Sequence, residues 1–162
     1  VSGMPKLNIH SRSCNPHARE LSNLAAHTFV MDGVKCSSME GFLQSLKYPY
    51  PEMQEEICGM VGLQAKQYRS RHYGRSEWQH RGILHWQGKR FTREGDEYAG
   101  LLTRAFQALY DQSEGFRVAL AGTAGMWLTH TFGHHDPFKT VLTQEEFCKL
   151  LTSLREEQKA RL

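Results

Sequence analysis

The sequence predicts an α+β fold, mostly α, formed by one domain over residues 4–162. Three observations lead there. Tyr98, Leu101, Leu102, Ala105, Phe106 and Leu109 recur at helical spacing over 96–110. Thr143-Gln144-Glu145-Glu146 reads as a capping box in front of Phe147, Leu150, Leu151 and Leu154. The strand-like stretches are few, short and confined to the N-terminal end.

Residues 6–11 alternate well enough for a first strand. Residues 27–36 read as two short strands around Asp32-Gly33, a tight-turn dipeptide flanked by Phe29, Val30 and Val34. Ser37 and Ser38 offer an N-cap for a helix over 39–47, and Pro49 and Pro51 forbid its continuation. Pro51 suits the first turn of the next helix, which carries Met53, Ile57 and Met60; 61–68 continues it after a break at Gly59. The polar, Gly-punctuated stretch 72–95 reads as irregular, with at most a short helix near 78–86. Another short helix is expected over 116–120, and Gly122 begins a connection.

Forty per cent hydrophobic and 23% charged residues in a 162-residue chain fit one globular core. No apolar run approaches a membrane span and no signal-type apolar region opens the chain, so a cytoplasmic protein with no membrane partner is expected. Val1-Ser2-Gly3, ahead of Met4, reads as a processing remnant. Four dispersed cysteines, with no Cys-x-x-Cys pair, point away from a disulfide framework or structural zinc and toward a reducing compartment. The net charge of +3 is mild, although Lys66, Arg69, Arg71 and Arg75 cluster with Tyr68, His72 and Tyr73. Such a cluster could hold phosphates or a nucleic-acid backbone, and on charge alone it reads as a solvated segment.

Glu40, Gln44 and Lys47 stand at i, i+4 and i+7, so one helical stripe would present an acid, an amide and an amine. On spacing alone a solvated surface pair explains them. Their context adds more. Leu21-Ser22-Asn23-Leu24, then Asp32-Gly33, then Ser38-Met39-Glu40 and the Glu-x-x-x-Gln-x-x-Lys run resemble the NADAR (YbiA-like) family, without a gap from Asp32 to Lys47. The 86 region, 102–106 and 123–130 follow the family more loosely.

The resemblance implies a YbiA-like domain that cleaves N-glycosidic bonds and needs no cofactor or metal. One branch hydrolyses phosphorylated riboflavin-pathway intermediates. Another removes ADP-ribose from guanine in nucleic acid, which would make this an antitoxin-like repair enzyme. The implied partner is therefore a ribose-phosphate or ADP-ribose compound, with ADP-ribosylated nucleic acid among its forms. By the same resemblance Glu40 would bind or polarise the ribose and Lys47 would act near the anomeric carbon. Asn23 and Gln44 would orient ribose or base. A Lys Schiff base and a Glu-activated water are both open as mechanisms.

The chain departs from the family at Thr129 to Pro137, where the Asn-Leu-Gly step is gone; this points to a distinct subfamily. Within that stretch His130, His134, His135 and Asp136 lack metal-site spacing and read as a polar loop closing the pocket, with His134 or Asp136 as an acid or base. Trp86, where the family carries a Trp, is a stacking candidate, and Arg90 could grip a phosphate. A non-catalytic ADP-ribose or nucleotide sensor and a nucleic-acid-binding protein are the competing readings. Oligomeric state is not legible in the sequence.

Overall fold

The computed structural model describes residues 3–68 and 75–161. Ordered along these are β1 (Lys6–Asn8), α1 (Pro16–Leu21), β2 (Phe29–Met31), β3 (Val34–Cys36), α2 (Met39–Ser45), α3 (Pro51–Cys58) and α4 (Gly62–Gln67). They are followed by α5 (Ser76–Arg81), β4 (Ile83–Trp86), β5 (Lys89–Thr92), α6 (Asp96–Gln112), α7 (Glu114–Ala121), β6 (Trp127–Thr129) and α8 (Gln144–Ala160). The fold is α+β and mostly helical. Among the described residues the strands form three separate pairs: β2 with β3 and β4 with β5 antiparallel, β1 with β6 parallel.

The β2–β3 hairpin turns on Asp32 and Gly33, both at positive φ (48° and 82°). That is the conformation a two-residue primed turn requires, and Gly accepts it without steric cost. Ser38 caps α2 by accepting from the Gly41 amide at 3.2 Å. Thr143 and Glu146 close the capping box of α8. Buried Phe42 and Leu43 of α2, and Leu46 just after it, pack into the same core as Tyr98, Phe106, Phe116 and Phe147.

Three expectations are corrected. The α2 helix ends at Ser45 rather than 47, because the chain tightens into a turn in which Lys47 donates its amide to Gln44 O. Lys47 therefore follows the helix instead of extending its stripe. Residues 83–92 form a hairpin where irregular chain was expected, and 72–74 of that stretch lie outside the described residues. The turn, Gln87-Gly88, adopts positive φ at both positions (48° and 85°), yet Gln is a weak turn signal. Burial also masks the strand: Leu84, His85 and Trp86 are all buried, so no two-residue alternation shows. Finally, β6 forms within the supposed connection and pairs with β1 in register Leu7 with Leu128.

Gln54 fixes the hairpin to α2. Its buried amide donates to the carbonyls of Ser45, Tyr48 and His85 and accepts from the Gln87 amide.

Candidate active site

Two regions distant in sequence meet because β1 and β6 lie side by side. Ile9 N donates to Thr129 O at 2.8 Å, and the Asn8 side chain bonds both the amide and hydroxyl of Thr131 at 2.9 Å. Residues 10–12 and 130–132 thereby become neighbours across more than a hundred positions. On the other side, the Glu40 amide donates to Asn23 O at 2.9 Å, which ties the start of α2 to the Ser22-Asn23-Leu24 turn. Between these edges lies a cavity of about 370 Å³. Asn23, Glu40, Lys66, Arg12, His10 and His130 give it a polar wall, and Leu24, Leu63 and Phe132 give it an apolar one.

Close backbone packing sets its shape. Gly62, in the first turn of α4, lies so near Leu24 that a Cβ there would sit 2.7 Å from Leu24 Cα and closer still to its carbonyl oxygen. Backbone cannot yield as a flexible side chain can. Gly62→Ala is expected to cost about 1–3 kcal/mol in urea unfolding and to weaken ligand binding at the cavity by displacing Leu24 and its neighbour Asn23.

Glu40 is the chemically distinctive group. Burial pushes its carboxyl above the usual carboxylate range, and Lys47, Lys66 and a hydrogen bond from the Gln44 amide pull it only partly back. Carboxyls perturbed by burial and nearby charges are enriched at functional sites, and structural ion-pair networks perturb them too. His130 shifts the other way: burial lowers it, with His10 and Lys66 adding to the effect.

The structure brings Asn23 and Glu40 into one cavity, and Gln44 (by a hydrogen bond) and Lys47 (by its charge) act on the Glu40 carboxylate without lining that cavity. The remaining sequence candidates lie elsewhere. Trp86 is buried against Phe42 (ring centroids 4.9 Å apart), and its Nε1 donates to Asp32 at 2.8 Å. It lines a different cavity, whose Asp32 carboxyl is held below the usual range by Arg104. Arg90 pairs with Glu77. Asp136 accepts from the Phe138 amide at 2.9 Å, and exposed His134 offers its carbonyl to Gln144 N. From the 129–137 loop it is His130 and Phe132 that reach the cavity. Sequence reading did not single out His10, Arg12, Leu63 or Phe132 for the site. Lys66 was visible only as part of a basic run, of which 69–74 lie outside the described residues.

Comparison with known proteins adds the lineage. The family described as bacteriophage protein GP30.3 matches residues 16–156. The chain belongs to that family. It is 38% identical over 154 residues to an uncharacterized 17.1 kDa protein of the Gp30–rIII intergenic region of Enterobacteria phage T4. The alignment covers 94% of this chain and 99% of the phage T4 protein. In three dimensions this GP30.3-family chain is similar to YbiA of E. coli, solved by NMR, with a TM-score of 0.61 at 20% identity. That match covers 99% of this chain and 89% of YbiA. The YbiA-like (NADAR) fold implied by the Ser22-Asn23, Asp32-Gly33 and Glu40 to Lys47 pattern is the fold observed. No helix among the described residues is long and apolar enough to cross a membrane.

Proposed function

We propose that this protein hydrolyses the N-glycosidic bond of a ribose-phosphate or ADP-ribose compound, in the cytoplasm and without a cofactor. One observation carries the reading: a carboxylate with a raised pKa, Glu40, opens onto a cavity that also holds Asn23, Lys66 and Arg12. Breaking a C1′–N bond builds positive charge on the sugar, which a desolvated carboxylate stabilises far better than water does. The cations beside it suit the phosphate of the same substrate. Asn23 supplies donors and acceptors for ribose hydroxyls.

The test is incubation with ADP-ribosylated DNA and, separately, with small N-ribosyl phosphates, following release of base or sugar. Turnover of either supports the reading and names the branch. Tight ADP-ribose binding with no turnover of any N-riboside would overturn it in favour of a sensor. Borohydride treatment during turnover is expected to trap no lysine adduct, because water is the nucleophile in this scheme. A trapped Lys47 or Lys66 would replace water with an amine.

A further inference from the structure

His130 enters the Glu40 cavity from the loop after β6. Its Nδ1 lies 2.7 Å from the Ile9 carbonyl oxygen. A carbonyl only accepts, so Nδ1 carries the proton and the neutral ring keeps Nε2 as its lone-pair nitrogen. Among the described residues no protein group is hydrogen-bonded to Nε2. The ring is held edge-on to Phe147, with centroids 5.0 Å apart. Gly133 leaves it room, since a Cβ there would meet His130 Cδ2 at 2.8 Å. A backbone carbonyl thus sets the tautomer, packing sets the orientation, and the basic nitrogen is left unused.

Burial, reinforced by neighbouring cations, favours the neutral ring. His10 and Arg12 line the cavity from the segment after β1, Lys66 from α4 and Glu40 from α2, while α8 contributes the Phe147 ring. Within the ring's own loop, His135 is engaged by Glu145. Burial is the largest influence and disfavours the imidazolium; His10 and Lys66 add repulsion, against the bond to Ile9.

We propose that His130 is the catalytic base of this cavity, taking a proton at Nε2 from the water that attacks the anomeric carbon. The inference rests on the N-glycosidase reading and divides the labour within it. The water oxygen forms the new C1′–O bond as the C1′–N bond breaks. The departing nitrogen keeps the bonding electron pair and takes a proton from solvent. The water's proton passes to Nε2 and is then released, so the ring returns to its starting state. Glu40 faces the positive charge on the sugar throughout.

Two measurements test this. In 15N-histidine NMR of the whole protein, His130 is expected as the Nδ1–H tautomer, with its Nε2 signal moved by ribose 5-phosphate. An Nε2–H tautomer, or an Nε2 signal the probe leaves in place, overturns the proposal whatever the turnover. The kinetic arm uses His130→Asn, whose amide can still donate to Ile9 O but has no base at the Nε2 position. Its kcat is expected to fall about 100-fold, the lower end for loss of a general base, with KM within about threefold. Wild-type kcat in this variant removes His130 from the mechanism while leaving the glycosidase reading intact. Absence of base release by the wild-type protein itself sinks the glycosidase reading and the catalytic role together.

Discussion

Glu40→Gln is expected to lose turnover by about 10³-fold, roughly 4 kcal/mol of transition-state stabilisation, while the protein becomes more stable at neutral pH. The first half follows from charge: glutamine keeps the shape and the bond to Gln44 but cannot answer a positive sugar. The second half follows from linkage. Burial raises the folded-state pKa of Glu40 above its unfolded value. Between those two values the folded chain binds more protons than the unfolded one, so stability falls as pH rises through that window. Above it, wild type bears the full cost of a buried charge, which the variant does not. Urea midpoints measured from pH 4 to 8 are expected to converge at the acid end and separate in the variant's favour toward neutrality. Equal midpoints throughout would mean that Glu40 ionises no less readily than a surface carboxylate. Stability gained with activity lost is the mark of a group retained for function.

The parts of this site that sequence could show were local ones. Asn23, Glu40 and Gln44 lie within about 20 residues, and helix periodicity with the family-like context pointed to them together. His10 and His130 could not be paired that way. Alternation marked the first strand but not its partner: β6 is only three residues long, and its parallel pairing with β1 joins segments more than a hundred positions apart. Trp86 and Arg90 illustrate the converse difficulty. Both sit in a hairpin hidden by a Gln-Gly turn and a doubly buried strand, so aromatic and cationic character was read without knowing which way the segment runs. The helices were legible because six apolar positions in α6 and a reciprocal cap on α8 repeat the same instruction several times. A single loop histidine carries no such redundancy. Its meaning comes from the carbonyl of Ile9, which only the folded chain brings near.

Glu146 provides the second large effect, with the opposite sign to Glu40. Arg93 is buried, its side chain 1% exposed, and its guanidinium grips both oxygens of Glu146 at 3.0 and 2.6 Å. It also donates to Thr140 O and lies over the Tyr98 ring. Glu146→Ala removes the partner of a desolvated cation, which costs about 3–5 kcal/mol. The carboxylate is one-third exposed, so water reaching the vacated space places the expected loss near the lower figure. The same change breaks the capping box, in which the Thr143 amide donates to Glu146 at 2.8 Å, adding about 1 kcal/mol. Glu146→Gln separates the two, because the amide oxygen can still cap while the charge is gone. Burial would raise the Glu146 pKa, but the bonds from Arg93 and Thr143 outweigh it and hold the carboxyl below its usual range. A depressed folded pKa contributes stability above the unfolded value, and that contribution is lost as pH falls through the folded one. The gap between wild type and Glu146→Gln is therefore expected to be full at pH 7 and to close in acid, whereas the Glu40→Gln gap opens toward pH 7 with the variant on top. If the Glu146 gap persists unchanged in acid, the pair contributes through packing alone.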